Sequence, residues 1–280
     1  MKKLICLLFV LMLAGCSANV EEKDGGRLNI AVSVAPEAEF AKGVCGNRAD
    51  VKVIIPPGYS PETYEPAPRD IAELSEADIY FSIGVPSEDS SIVPSVQNLK
   101  EVELDKAVAE KYPDLTLDGG RDPHIWLSVK RAEVMTEKIA EELSALDSEN
   151  AEYYAENARS YIAVLKKTDE EIRSILSDSE CRDFVVFHPS FGYFADEYKL
   201  NMYALEKGGK EPSAAETAEM IDFAREKNVK AVFYQSETDS TRAKVFAAEI
   251  GANAVELSPL AENYTENLVN MAKTIVGAIN

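Results

Sequence analysis

Histidine, cysteine and positive charge are the scarce features of this chain. Two histidines, four cysteines and one tryptophan stand among 280 residues, and 29 Lys and Arg face 49 Asp and Glu for a formal net charge of −20. So few cations argue against nucleic acid as a partner, because phosphate binding needs clustered Lys and Arg. They equally disfavour adsorption to anionic lipid head groups. A binuclear hydrolase normally wants more imidazoles at tight spacing, such as HExxH, and that motif is missing. No cysteine sits in a CxxC pair, which counts against a thiolate zinc site. The leading apolar run, Leu4 to Leu13, is shorter than the roughly 20 residues that cross about 30 Å of hydrocarbon. What is plentiful is ordinary: 46% hydrophobic residues suit a globular protein and exclude a disordered one. The length fits one large or two medium domains.

Lys2 and Lys3 followed by that apolar run have the form of an export signal over residues 1–15. Leu13-Ala14-Gly15-Cys16 resembles the lipobox of bacterial lipoproteins, which implies cleavage before Cys16 and a lipid on its sulfur. Residues 16–27 are polar and Gly-containing, the composition of a tether. The expected location is therefore extracytoplasmic, on the outer face of the cytoplasmic membrane. Of the four cysteines, Cys45 and Cys181 then remain in the body. Export permits a disulfide, but two cysteines so far apart in sequence are no framework, and unpaired thiols are expected.

The body alternates. Leu28–Val34, Val51–Ile55 and Asp78–Gly84 have strand patterning, with helical spacing over Glu37–Val44 and Pro68–Ala77. Strand, helix, strand in repetition predicts a parallel sheet with crossover helices. From Asn150 to Leu176 neither Pro nor Gly occurs, and Tyr154, Ala158, Tyr161, Leu165, Thr168, Ile172 and Ile175 form one stripe. Such a segment makes a helical rod of about 40 Å, long enough to join two lobes. After Cys181 the alternation returns, with strands predicted at Phe184–Phe187, Met202–Leu205, Val229–Tyr234 and Ala254–Leu257. The predicted fold class is thus α/β. An N-terminal lobe over 28–148 and a C-terminal lobe over 181–280 each hold a mostly parallel sheet, joined by a linking helix in 149–180. Ligands bind beyond the carboxyl ends of such strands, so the two lobes would face each other across a cleft.

Each histidine falls at a loop near a strand end, one per lobe: His124 in Asp122-Pro123-His124-Ile125-Trp126-Leu127 and His188 directly after Phe184-Val185-Val186-Phe187. Imidazole is the commonest metal ligand near neutral pH.

Three segments and a fourth resemble a known family. Pro56-Pro57-Gly58-Tyr59-Ser60-Pro61-Glu62-Thr63-Tyr64-Glu65-Pro66-Ala67-Pro68 is similar to the first ligand loop of the metal-binding receptors of zinc and manganese ABC importers. Asp122 to Leu127 resembles their second and His188 to Phe194 their third, while Gly208-Gly209-Lys210-Glu211-Pro212-Ser213 also matches. The resemblance implies a monomeric, non-enzymatic receptor that captures a divalent metal between two lobes and hands it to an importer permease. Two positions depart from the pattern. Glu62 stands where the family usually has histidine, and Ser258 where an aspartate is common; Pro113–Gly120 replaces a His-rich loop.

The implied ligand set is Glu62, His124 and His188, with water, Gln235, Glu237 or Ser258 as the fourth group. Two imidazoles and a carboxylate suit Zn²⁺, and the harder oxygen of Glu62 also admits Mn²⁺ or Fe²⁺. Asp122 is a candidate partner orienting an imidazole. Glu206 and Glu211 are expected as surface charge and helix capping. Tyr64, Trp126, Phe191 and Tyr193 are candidates for the wall of the site or for core. The same three ligands would also serve a mononuclear zinc hydrolase, and an adhesin on this fold would bind metal weakly or not at all.

Overall fold

The computed structural model describes residues 27–117, 119–206, 212–237 and 240–280. The export signal, Cys16 with the tether up to residue 26, and residues 207–211 lie outside them. The first half runs β1 (Leu28–Val32), α1 (Ala35–Cys45), β2 (Ala49–Val53), α2 (Pro68–Ser75), β3 (Ile79–Ser82) and β4 (Glu101–Glu103). Prolines open both helices, where a missing N–H costs nothing. All four strands are parallel, in the order β2-β1-β3-β4. Then come α3 (Leu104–Lys111), a minimal hairpin of β5 (Thr116–Leu117) and β6 (Gly120–Arg121), α4 (Val129–Leu146) and α5 (Ala151–Ser177).

The second half repeats the plan: β7 (Asp183–Val186), α6 (Gly192–Tyr198), β8 (Asn201–Ala204), α7 (Ala214–Glu226), β9 (Ala231–Tyr234), α8 (Ser240–Ile250), β10 (Asn253–Glu256) and α9 (Tyr264–Ile279). Its parallel sheet has the order β10-β9-β7-β8. Each sheet therefore arranges its own strands second, first, third, fourth. The halves share a topology although no repeat is visible in their residues.

The long helix is the 27 residues of α5. Tyr154, Ala158, Leu165, Thr168 and Ile172 of the expected stripe are buried, with Leu176 completing it, while Tyr161 and Ile175 are half-buried. The helix is more than a bridge. It packs on α1 and α4 from the first half and on α9 from the second. Phe40 on α1 meets Tyr264 on α9 edge-on at 4.7 Å, and Glu39 accepts hydrogen bonds from the hydroxyls of Tyr161 (2.9 Å) and Thr265 (3.2 Å). One apolar core consequently runs unbroken through both halves, taking Phe184 and Val186 from β7. The alternate residues Val185 and Phe187 face a smaller cluster with Val232, Ala224 and Phe246, as the two-residue period of a strand requires. Cys45 and Cys181 are free thiols. No helix among the described residues is long and apolar enough to cross a membrane.

Candidate metal centre

The parallel register of the second sheet builds half of the site. Strand β7 pairs with β8 so that Val186 faces Ala204, and with β9 so that Val186 faces Phe233. Carried two residues further, that register sets His188 beside Glu206 on one flank and Gln235 on the other. The ladder does continue, through Glu206 N–H to the Phe187 carbonyl (3.0 Å) and Phe187 N–H to the Phe233 carbonyl (2.8 Å). Three polar side chains thus stand in a row along the carboxyl edge of the sheet, where open α/β folds bind ligands.

The first half supplies the facing wall. Glu62 lies in the loop from β2 to α2, which is held by the Ser87 N–H on the Pro61 carbonyl (3.2 Å) and by the Ser91 hydroxyl on the Tyr64 carbonyl (2.8 Å). His124 follows the β5–β6 hairpin and enters a 3-10 turn over Ile125–Leu127. That turn is tied to the other half. The Trp126 indole donates to the Pro259 carbonyl (2.8 Å), and the Tyr264 hydroxyl donates to the Trp126 carbonyl (2.7 Å).

Glu62 Oε1 stands 3.2 Å from His188 Nε2 and 3.9 Å from His124 Nε2. One ligand atom from each of the three residues falls within 4.8 Å of the others. Among the described residues they form the only such cluster of His, Cys, Asp and Glu. The histidines are buried, at 4% and 6% exposure, whereas the Glu62 side chain keeps 25%. The enclosed space between them is about 10 Å³, room for about one water-sized guest. Each imidazole is turned by a carboxylate behind it. Asp122 Oδ1 is 2.9 Å from His124 Nδ1 and also accepts the His124 N–H, and Glu206 Oε2 is 2.9 Å from His188 Nδ1. Both rings are left presenting Nε2 to the cavity. Burial opposes charge on His188, but its hydrogen bonds to the Glu206 and Glu62 carboxylates outweigh it and push the imidazole pKa up to about 9. The same hydrogen bond with His188 holds the Glu62 carboxyl below its ordinary range, against the effect of burial.

The structure brings all three expected ligands together and puts Asp122 behind His124 as expected. It corrects the reading of Glu206, which is not surface charge: its side chain is 14% exposed and orients His188. The missed signal is its place directly after a strand that pairs with the His188 strand. Of the aromatic candidates, Trp126 lines the cavity, with its ring 5.3 Å from that of His124. Tyr64 instead bonds Asp70 at 2.5 Å, and Phe191 and Tyr193 belong to the core. Gln235 lines the cavity, its amide oxygen accepting from the Ser190 hydroxyl at 2.8 Å. Glu237 takes the Ser236 hydroxyl (2.9 Å), and the Ser258 carbonyl takes the Asn267 amide (2.6 Å); neither residue lines the cavity.

The donor set fits a tetrahedral zinc ion. Metal–ligand bonds of about 2.0–2.1 Å put neighbouring donors about 3.3–3.5 Å apart, which the 3.2 Å separation meets and the 3.9 Å one exceeds by about half an ångström. Two parallel-sheet lobes on a common helix, with a carboxylate and two oriented imidazoles closing on an atom-sized space between them, define a metal-capturing receptor.

Comparison with known proteins gives the family. Residues 30–278 match the ZnuA family, "Zinc-uptake complex component A periplasmic", and the chain belongs to it. It is 30% identical over 256 residues to the high-affinity zinc uptake system protein ZnuA of Bacillus subtilis, covering 85% of this chain and 80% of that protein. It is also 30% identical over 282 residues to the zinc-binding lipoprotein AdcA of Streptococcus pneumoniae strain R6, covering 94% of this chain. The match spans about half the length of AdcA (55%). A crystal structure of ZnuA superposes with a TM-score of 0.85 at 35% identity, over 91% of this chain and all (100%) of the other.

Proposed function

We propose that this protein is the extracytoplasmic receptor of an ABC importer, capturing Zn²⁺ between its lobes and delivering it to the permease. The observation that carries the proposal is the convergence of Glu62, His124 and His188 on one buried, atom-sized space, in a chain of the ZnuA family. Membership makes it a receptor rather than an enzyme. The ligands are Glu62 Oε1 and the Nε2 atoms of His124 and His188, with a water as fourth donor and Gln235 beside it. Asp122 and Glu206 hold the imidazoles in the tautomer that offers Nε2. Because Glu62 is a hard oxygen ligand, Mn²⁺ and Fe²⁺ are the competing ions. Glu62 is also the one ligand with appreciable exposure, so the ion enters along its carboxylate.

The lobes are assigned to 28–148 and 181–280, with 149–180 as the linking segment. The protein acts as a monomer, anchored to the outer face of the membrane by lipid on Cys16. The Leu13-Ala14-Gly15-Cys16 motif and the lipoprotein relative support that anchor. The test is zinc accumulation by cells lacking the gene. The parent chain restores uptake and His188→Ala does not; restoration by both refutes the assignment.

A further inference from the structure

Beneath the metal centre one buried side chain ties the two halves together. Helix α4 begins after Ser128, close behind His124, and α6 begins at Gly192, close behind His188. Glu197, on α6, is only 6% exposed. Its carboxylate reaches across to the start of α4, where Oε2 accepts the Ser128 hydroxyl and Oε1 accepts the Lys130 N–H at 3.2 Å. Ser128 Oγ in turn accepts the Arg131 N–H at 3.3 Å as the cap of α4. A helix start exposes unsatisfied N–H groups and partial positive charge, so Glu197 caps α4 from another element. Arg173 on α5 stands 3.9 Å from the same carboxylate and answers its charge.

Two more contacts dock α6 on the first half. The Arg131 guanidinium covers the Tyr193 ring at 4.4 Å from its centroid, and the Tyr193 hydroxyl accepts the Leu115 N–H at 3.1 Å. A side chain at Gly192 would put its Cβ 2.4 Å from Asp122 Oδ2, displacing the carboxylate that orients His124.

We propose that Glu197 is a positioning residue for metal capture, a strut that fixes the spacing of His124 and His188 before the ion arrives. The path is continuous: His124, the 3-10 turn, Ser128, Glu197, α6, His188. These contacts dock α6 on the first half, while the β7–β8–β9 register keeps His188 on the second sheet. A site held in its bound spacing loses less freedom on binding. This role rests on the receptor function above, and the test separates the two.

Zinc affinity is measured by chelator competition for the parent, Glu197→Ala, Glu197→Gln and Leu143→Ala, with hydrogen exchange on the metal-free proteins. Glu197→Ala weakens zinc binding at least about tenfold, the scale of losing an outer-shell partner. Glu197→Gln, which keeps an acceptor for Lys130, stays within about threefold because a neutral hydrogen bond replaces a charged one. Leu143 is fully buried on α4, about 22 Å along the helix from Ser128 at 1.5 Å per residue; Leu143→Ala loses stability but keeps zinc affinity. In metal-free Glu197→Ala, amides 124–128 and 188–192 exchange faster together. Should Glu197→Ala fail to fold, Ser128→Ala removes the other end of the strut, with the same losses expected. The strut is overturned if the alanine variant binds like the parent, if Leu143→Ala weakens binding as much, or if exchange is unchanged. A parent that binds no zinc refutes the receptor function instead, and the exchange measurement still decides the strut.

Discussion

With His188 as a ligand, as proposed above, zinc displaces the proton of its imidazole, and the affinity should show it. In the metal-free protein the imidazole lies between Glu62 and Glu206, 3.2 Å and 2.9 Å away, and its pKa is pushed up to about 9. Nε2 binds metal only when that proton has left. pH 7 lies about two units below that pKa, so the bound proton weakens apparent zinc affinity about 100-fold, or about 3 kcal/mol at 1.36 kcal/mol per unit. Affinity should then rise about tenfold per pH unit, about 30-fold from pH 7 to 8.5, with about one proton released per ion. The stability of the metal-free protein moves the other way. A raised histidine pKa contributes stability that is fully present below about 6.5 and is lost as pH rises through about 9. Calorimetry in two buffers of different ionisation enthalpy counts the protons, and chelator competition gives the slope. Glu206→Gln removes the negative partner, so its slope over the same window flattens. A parent affinity that changes less than about threefold over that range, with no proton released, would refute the reasoning.

Other predictions concern individual side chains. Asp122→Asn and Glu206→Gln each lose an oriented carboxylate behind a ligand and should weaken zinc binding about 10- to 100-fold at pH 8.5 in the competition assay. Glu62→His restores an imidazole, so zinc binding should hold or tighten while Mn²⁺ binding falls at least about tenfold, as measured by parallel titrations with both ions. Leu165 is fully buried on α5; Leu165→Ala should cost about 2–5 kcal/mol and lower Tm by roughly 5–15 °C in thermal denaturation.

Most of this architecture was legible because its signals are local. The α5 rod was visible in 27 residues with a single apolar stripe and no breaker, and β7 and β9 fall on the strands predicted at Phe184–Phe187 and Val229–Tyr234, β7 starting one residue earlier. Strand β4 and helix α3 were not anticipated, since Glu101-Val102-Glu103 is a three-residue edge strand with charged flanks and offers no periodicity to detect. The shared strand order of the two sheets was hidden for a different reason. Topology follows from the order of strand and crossover, which many residue sets satisfy. At the site, the histidines were found by rarity and position, and Glu62 by resemblance. Glu206 was lost among the acidic residues near it; only the register that pairs β7 with β8 singles it out. Glu197 could not be seen either, because its partner Ser128 lies 69 positions away in sequence.

The most direct test is metal analysis of the protein freed of its leader and titrated with Zn²⁺ at micromolar concentration, beside His124→Ala. The account predicts one tightly held equivalent in the parent and binding weakened more than about 100-fold in the variant, which loses a ligand, with the fold intact in both. No bound zinc in the parent, or equal binding in the two, would contradict it.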